Sequence, residues 1–588
     1  MGLLCGVFIA TVIVIFSVMA TDLADFGNTK DSAEPDLEES LFEPRADVYN
    51  ATITGASKPN ILVFIADDLG HADLSYSEGN LQTPTPNIDK LAWDGIILNR
   101  HYVNPICTPT RGAFMTGRDA FRVGLQTAAI SEGEPWGLPL QFKIQPQYFK
   151  DLGYTTAAVG KWHLGMYTRQ HFPNARGFDY SYWFHGGDAN WFNVSTGWLT
   201  PVLNHGKAFR ENGKIIFSNI TNNYYFPEQM TAKAEQIIHD FEPNKPWYLY
   251  FATPVTHTAI AAYGPEQHVM ASYQLRPPVR SFSNQFPERK KQLGIIQVLD
   301  EQFRRLTNAL TYTGAINNTI IVFMADNGGP LPEVAGFIHG SNHASNWPLR
   351  LGKGSLFEGG VRGLSFIWSP LLKRRGRVTN QLFHVSDWLP TLYEAAGGNV
   401  RDLVNVTGVS QWKSLFHGNN YGPRTELVNN IDSILNQYAM VYQDQYGGMY
   451  KLIGGNVFNN QFFGWDRTEG TSPGNEMKSW SPVSVECNFP DGMEVSTCRP
   501  YQSDCLFDLI NDPCETNNIA ASFPSMTQLL QQKIKNYNGS SFPAQVRPFD
   551  PASNPDLHQG LWTPWLDPVE VLDTVPLTFQ TFTPTNTL

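Results

Sequence analysis

Three short, strongly apolar segments constrain the fold of this 588-residue chain more than any other feature. They run from Asn60 to Ala66, from Trp247 to Ala252 and from Thr319 to Ala325, and none contains a charged residue. Continuous runs of this length are typical of parallel strands that are buried on both faces. Amphipathic helical patterns lie between them, from Gln229 to Phe241 and from Pro287 to Thr313. The alternation predicts an α/β fold whose mostly parallel sheet is covered by helices on both faces.

Further segments continue this alternation. Hydrophobic spacing and start signals predict helices over Thr85 to Leu98, Pro146 to Gly153 and Val385 to Ala396. Two more apolar runs, Thr155 to Val159 and Leu364 to Trp368, predict additional strands.

The composition changes after about residue 425, where glycine, asparagine and aromatic residues become frequent and four of the six cysteines lie. We therefore predict an N-terminal domain over residues 58–425 and a smaller C-terminal α+β domain with an antiparallel sheet over residues 426–542. Residues 543–588 are rich in proline and lack periodicity, which predicts an extended tail on the surface.

The first 20 residues are typical of a secretory signal peptide. Gly2 to Ala20 carry no charge, and small residues around Ala20 form a cleavage site. A signal anchor that stays in the membrane is the alternative, because the apolar run is close to spanning length. Cleavage would leave no membrane span, and the chain would enter the secretory pathway and be secreted or lysosomal. Six glycosylation sequons agree with this route, at Asn50, Asn193, Asn219, Asn317, Asn405 and Asn538.

The formal net charge of −12 argues against a nucleic-acid-binding protein, which would need a basic surface. Much of this charge belongs to residues 21–57, an acidic leader with nine acidic and two basic residues. An anionic small-molecule ligand stays compatible with the sequence, because a local cluster of cations can outweigh the global charge.

Polar residues follow two of the strongest predicted strands. Asp67 and Asp68 come directly after the first, and Asp326 and Asn327 directly after the last. Active sites of α/β sheets collect at such carboxyl ends, and carboxylate and amide oxygens suit Ca²⁺ or Mg²⁺. Either pair alone also fits ordinary capping of a loop, so at this point both interpretations stay open.

The segment from Pro105 to Gly117 carries the strongest chemical signal. Pro109 suits the first turn of a helix, and Cys107 and Arg111 are four residues apart, so they lie close together at its start. A helix N-terminus beside a guanidinium group is a good site for an oxyanion.

Two motifs resemble the signatures of the sulfatase family. Cys107 to Arg111 (CTPTR) resembles the first signature, and Gly153 to His163 (GYTTAAVGKWH) resembles the second. The resemblance extends from about Pro59 to Asp432 and is closest to the arylsulfatase B group; insect arylsulfatases and glucosinolate sulfatases, which are also arylsulfatase-like, are the alternative. Three further stretches support it: Asn346–Arg350, Lys353–Arg362 and His384–Thr391. It implies an alkaline-phosphatase-like fold with a mixed, mostly parallel sheet.

The resemblance also implies a set of site residues. A formylglycine-generating enzyme would convert Cys107 to Cα-formylglycine during secretion. One Ca²⁺ per chain would be held by Asp67, Asp68, Asp326, Asn327 and the modified Cys107. The family pattern places Arg111 at the formylglycine hydrate, Lys161 and Lys353 at the sulfate oxygens, His163 at the formylglycine hydroxyl and His257 at the leaving oxygen.

These residues imply hydrolysis of a sulfate monoester to an alcohol or phenol and inorganic sulfate. Hydrated formylglycine would attack sulfur, and His257 or, as second choice, Lys353 would protonate the leaving group. His163 would then take a proton as sulfate departs. The cations and Ca²⁺ would neutralise the transferring group, and an extended backbone would turn Lys161 and His163 to the same side.

The four late cysteines allow three pairings. We favour the local one, Cys487–Cys498 and Cys505–Cys514, partly because the stretch from Cys505 to Cys514 resembles a C-terminal feature of related arylsulfatases.

The substrate stays open between an N-acetylgalactosamine 4-sulfate-type glycan and a small sulfate such as a glucosinolate. The loops that flank the pocket in the family fold, Thr127 to Leu140 and His185 to Phe226, diverge from the family pattern. Two other functions compete with a sulfatase: a phosphomonoesterase or phosphodiesterase of the same fold, and an inactive glycosylated binding protein. A homodimer is left open.

Overall fold

The computed structural model describes the chain from residue 58 onward, with several gaps. The described residues are 58–78, 82–192, 195–196, 206–217, 225–257, 275–331, 341–419, 422–457, 464–470, 482–487, 489, 498–567 and 575–576. The predicted signal peptide and acidic leader lie outside these residues, as do the sequons at Asn50, Asn193 and Asn219.

Nineteen strands and eleven α-helices occur in the described residues. The strands β1 to β19 are Asn60–Ala66, Ile96–Leu98, His101–Tyr102, Thr155–Lys161, Tyr180–Phe184, Ser195–Thr196, Gly206–Lys207, Phe209–Glu211, Lys214–Phe217, Trp247–Ala252, Thr319–Ala325, Ser365–Trp368, Arg377–Thr379, Phe383–His384, Glu426–Asp432, Gln437–Gln443, Met449–Gly455, Cys505–Asp508 and Val575–Pro576. The helices α1 to α11 are Ser75–Glu78, Pro86–Asp94, Cys107–Thr116, Gln145–Asp151, Phe226–Asp240, Pro277–Ser281, Pro287–Tyr312, Glu358–Val361, Trp388–Ala395, Trp412–His417 and Pro524–Asn538. Among these helices none is long and apolar enough to cross a bilayer.

Eleven strands form one large sheet in the order β13-β2-β12-β11-β1-β10-β4-β5-β8-β9-β19. Its centre, from β11 to β5, is parallel, and Phe64 of β1 lies beside Phe251 of β10 and Phe323 of β11. β12 runs antiparallel to β11, so the sheet is mixed. The predicted mixed, mostly parallel sheet is confirmed.

The two faces of β1 lie in two separate apolar clusters. Leu62 and Phe64 pack with residues of α5 and α7, including Phe303, whose ring centroid lies 5.3 Å from that of Phe64. Ile61, Val63 and Ile65 pack on the opposite face with residues of α3 and α9. Helices therefore cover both faces, as the apolar strand sequences predicted.

Two predicted helices differ from the structure. The helix predicted over Thr85 to Leu98 ends at Asp94, and Ile96–Leu98 forms strand β2. At the junction Gly95 lies so close to the backbone of Ile367 that an added Cβ would be 2.6 Å from the carbonyl oxygen, which explains the glycine. The helix predicted over Val385 to Ala396 begins with a short 3₁₀ turn.

A second, smaller sheet follows the large one. It contains β15, β16, β17 and β18 in that order, all antiparallel, and α11 packs against it. The predicted small antiparallel sheet is confirmed, while the domain boundaries at residues 425 and 542 stay a prediction.

The disulfide pairing that we favoured is wrong. The structure pairs Cys498 with Cys505 and Cys487 with Cys514, with Cα–Cα distances of 5.7 and 6.0 Å. Cys505 is the first residue of β18. This four-residue strand takes the chain that leads to Cys514 roughly 10 Å away from Cys505, which is farther than a disulfide can span. The turn before the strand instead brings Cys498 beside Cys505, and Cys514 lies past the far end of the strand.

The described part of the tail binds to the large-sheet region. The backbone N–H groups of Gln545 and Asp550 donate to the carbonyls of Gly124 and Gly133. Farther along, the Trp562 side chain is fully buried, and its Nε1–H donates to the carbonyl of Thr196. Short 3₁₀ turns interrupt the tail at Pro551–Ser553 and Pro555–His558.

Candidate active site

The carboxyl ends of β1 and β11 bring four polar residues together. The two strands are parallel neighbours in register, with Ala66 opposite Ala325, so the residues that follow them meet at one sheet edge. The backbone N–H of Asp68 donates to Asp326 Oδ1 at 3.2 Å, and Asn327 Nδ2 donates to Asp68 Oδ1 at 2.7 Å. These residues and Asp67 are all buried.

Cys107 lies at the same place because it is the first residue of α3. One ligand atom each of Cys107, Asp67 and Asp68 lies within 4.8 Å of the others. Burial raises the pKa of the Cys107 thiol to about 11. The unmodified cysteine is therefore protonated at neutral pH and a weak nucleophile.

The donor set fits a hard divalent cation such as Ca²⁺. Three carboxylates are crowded without exposure to water, and burial together with Asp326 raises the pKa of Asp67 well above its ordinary value. Asn327 Oδ1 is buried without a hydrogen-bond partner, so an acceptor is left over beside the carboxylates. A cation would satisfy that oxygen and relieve the repulsion between the carboxylates.

Arg111 projects from the second turn of α3 into this cluster. Its Nη2 and Nε donate to Asp326 Oδ2 at 2.7 and 3.1 Å, and Nη2 lies 3.5 Å from Asp67 Oδ1. A further hydrogen bond joins Nη1 to the Tyr250 hydroxyl. Burial opposes the charge of Arg111, but Asp326 outweighs it and raises the pKa of the guanidinium above its ordinary value.

Two lysines reach the carboxylates from different elements. Lys161, the last residue of β4, donates from Nζ to Asp67 Oδ2 at 2.7 Å, and Lys353 donates to Asp68 Oδ2 at 2.7 Å. Burial opposes both charges, but the neighbouring carboxylates raise the pKa of each lysine, so both are protonated. Three cations therefore face three carboxylate groups in the described cluster.

His163 lies beyond the end of β4 rather than within it. Its φ of 56° is left-handed, so the extended backbone expected from Lys161 to His163 is wrong at this residue. Its Nε2 lies 2.8 Å from the carbonyl of Ile130, while Nδ1 is buried with no hydrogen-bond partner. Burial and the charge of Lys161 hold the pKa of His163 well below its ordinary value, so the ring is neutral.

His257 contacts the cluster through Asp68 and Lys353. Its Nε2 lies 3.4 Å from both Asp68 Oδ2 and Lys353 Nζ. The exposed fraction of the side chain is 15% for His257, 6% for Lys353 and 0% for Lys161. Solvent therefore reaches the cluster from the side of His257.

Nine of the ten residues singled out by the sequence are thus joined by contacts or by the shared cluster, while His163 is linked to them through the electrostatic effect of Lys161 on its ring. Sequence reasoning missed Tyr250, Thr256 and Asn342, which hold the others in place. Tyr250 is one of six buried residues of β10 and gave no separate signal. Asn342 lies in a loop without a recognisable motif.

Comparison with known proteins identifies the family. The sequence model of the family described as Sulfatase matches residues 59–398, more than half of the chain. Arylsulfatase J of Mus musculus is 32% identical over 536 residues, which cover 90% of this chain and 84% of that protein. Arylsulfatase A of Bos taurus is 28% identical over 499 residues, covering 82% and 88%.

The solved structures agree on the fold. The crystal structure of Ps i-CgsB in complex with k-i-k-neocarrahexaose matches with a TM-score of 0.64 at 24% identity and covers 86% of this chain and 97% of that chain. The alkaline-phosphatase-like α/β fold expected from the sequence is confirmed. The chain belongs to the sulfatase family and is a sulfuric ester hydrolase.

Proposed function

We propose that this sulfatase hydrolyses an aryl or carbohydrate sulfate monoester with a formylglycine made from Cys107 and one bound Ca²⁺. The observation that carries the proposal is the buried position of Cys107 at the start of α3, within 4.8 Å of the Asp67 and Asp68 ligand atoms. Hydrated formylglycine would supply the hydroxyl that attacks sulfur and would later release sulfate by C–O cleavage.

The metal ligands would be Asp67, Asp68, Asp326, Asn327 and the modified Cys107. When bound, Ca²⁺ would polarise the sulfate ester and offset the charge of the transferring group. Arg111, Lys161 and Lys353 are already engaged by the carboxylates, so the ion would supply positive charge that attracts an anionic ester. Substrate binding would therefore depend on the metal as well as on the lysines.

Arg111, Lys161 and Lys353 would hold the anion and the attacking group in place. Their contacts with the carboxylates fix the guanidinium and both ammonium groups before substrate enters. Preorganised cations of this kind stabilise charge that develops in the transition state without moving.

The two histidines would transfer protons at different steps. His257 lies on the solvent side, where the alcohol or phenol must leave, and would protonate the leaving oxygen. His163 is neutral, and because Nε2 donates to the Ile130 carbonyl, Nδ1 carries the lone pair. That nitrogen would accept the proton when sulfate is released.

The substrate would be an N-acetylgalactosamine 4-sulfate-type glycan or a small sulfate such as a glucosinolate, and the chain would meet the formylglycine-generating enzyme in the secretory pathway. Mass spectrometry of the Cys107 peptide from protein produced with that enzyme tests the core of the proposal. We expect an aldehyde in place of the thiol; a thiol alone in active protein would refute it. A panel of both substrates and simple aryl sulfates then separates the substrate classes.

A further inference from the structure

A loop outside both signatures contacts the backbone of the active site. Asn342 is 6% exposed and donates from Nδ2 to the carbonyls of Asp68 and Thr256, both at 2.9 Å. Its Oδ1 accepts from the backbone N–H of Ala344 at 3.0 Å. The reversed amide would place an oxygen against two carbonyl oxygens, so the three contacts fix its orientation.

The two carbonyls belong to segments that carry different parts of the site. Asp68 has a φ of 59°, in the left-handed region that a non-glycine residue rarely occupies. Thr256 directly precedes His257, and its N–H and hydroxyl donate to the Asp67 carbonyl at 2.8 and 3.1 Å. The Thr256 hydroxyl also lies 3.2 Å from the Asp68 carbonyl, and the Asn342 amide is a further link between the carboxylate turn and the histidine turn, made from a separate loop.

The loop of Asn342 is itself held from the outside. Buried Arg289 of α7 donates from Nη1 to Asp73 Oδ1 and to the carbonyl of His343, both at 2.8 Å. Asp73 Oδ1 also accepts from the backbone N–H of Ser345 at 3.1 Å. A continuous set of hydrogen bonds therefore connects a long helix to the backbone beside the reacting groups.

We propose that Asn342 is a positioning residue that sets the separation between the Asp68 carboxylate and the His257 imidazole. This positioning role rests on the proposed function, since His257 is the group that would protonate the leaving oxygen. Both of its donated hydrogen bonds end on backbone, so it acts through Asp68 and His257. A displacement of about 1 Å at reacting groups is enough to lower a rate about 100-fold.

Two variants test the proposal. Asn342→Ala removes all three hydrogen bonds, whereas Asn342→Asp keeps the size and the Ala344 contact, removes the two donations and places an oxygen against the Asp68 and Thr256 carbonyls. We expect kcat for an aryl sulfate to fall about 10- to 100-fold in both, with KM changed less than about threefold. Crystal structures of both variants should show His257 about 1 Å farther from the Asp68 carboxylate.

The matched control is Asn430→Ala. Asn430 is also buried and donates to the carbonyl of Gln126 at 2.9 Å, but it lies in the small sheet. The Asn430→Ala variant should be less stable than wild type but should keep the wild-type kcat. An unchanged kcat or unchanged His257 position in Asn342→Asp would overturn the proposal, and so would loss of folding in both Asn342 variants. Absence of sulfatase activity in the wild-type protein would instead refute the proposed function, while the crystallographic distance still tests the positioning role.

Discussion

Two buried ionic clusters in this chain differ in how their oxygens are satisfied. At the junction with the small sheet, Lys451 lies 2.8 Å from Glu358 and 2.9 Å from Glu515. The remaining oxygens accept from the Tyr102 hydroxyl and the Glu358 backbone N–H. At the active site, by contrast, Asn327 Oδ1 and His163 Nδ1 are buried without partners.

The difference separates a structural ion cluster from a reactive one. In the structural cluster three of the four carboxylate oxygens accept hydrogen bonds, and the fourth, Glu515 Oε1, lies 2.9 Å from the Lys451 ammonium, so each oxygen faces a donor or a cation of the protein. In the active site the leftover acceptor atoms mark the places where a metal ion and a substrate proton are expected. Burial and charge alone do not distinguish the two clusters, since both consist of fully buried carboxylates and lysines.

Asp68→Asn should have the largest effect, because it removes a metal ligand and the partner of Lys353 together. Metal catalysis supplies several kcal/mol of transition-state stabilisation, so kcat/KM should fall at least about 10⁴-fold. The assay is hydrolysis of a chromogenic aryl sulfate, with circular dichroism to verify folding. Activity within about tenfold of wild type would mean that this cluster is not the reactive one.

Lys451→Met should lower stability and leave activity intact, the reverse of Asp68→Asn. Two buried carboxylates lose their cation, and breaking a buried pair in this way lowers the free energy of unfolding by about 3–5 kcal/mol. Denaturant titration measures this loss, while kcat per folded molecule should stay close to wild type. Exposed Lys535→Met is the control, with an expected change within about 0.5 kcal/mol. A large loss of kcat in Lys451→Met would show that the two clusters are functionally coupled.

The sequence predicted the active site better than the surroundings that hold it. Asp67, Asp68, Asp326 and Asn327 were found because neighbouring parallel strands must end at one edge, and their apolar sequences were unmistakable. Local rules gave the start of α3 and therefore the place of Cys107. These local rules did not predict the position of the Asn342 loop, because its contacts are with residues more than 80 positions away.

The same limit explains the wrong predictions. The left-handed turn at His163 is held by tertiary contacts, including the hydrogen bond from Thr108 Oγ1 to its carbonyl. The disulfide pairing depended on the course of β18, which sequence spacing does not fix. The helix over Thr85 to Leu98 was overextended because Gly95 meets β12, a strand distant in sequence.

Removal of Ca²⁺ should weaken the binding of inorganic sulfate. We expect this change in affinity to be smaller than the loss of kcat/KM in Asp68→Asn. Removing the ion takes two positive charges from the cluster, so inorganic sulfate should bind about 10- to 100-fold more weakly. Isothermal titration of sulfate into chelated and Ca²⁺-restored protein measures this difference. Equal sulfate affinity in the two samples would mean that the lysines alone attract the anion.

The most gradual expected effect is the pH dependence that Glu515 contributes to stability. Burial, reinforced by Glu358, raises the pKa of Glu515 in the folded protein from 4.5 to about 7. The folded state therefore holds this proton more tightly than the unfolded state. Its stabilising contribution is complete below about pH 4.5 and is lost as the pH rises through about 7, with a slope of at most about 1.4 kcal/mol per pH unit. Thermal unfolding across this range should show the decline in wild type and a flatter curve in Glu515→Gln, whereas identical curves would assign the proton elsewhere.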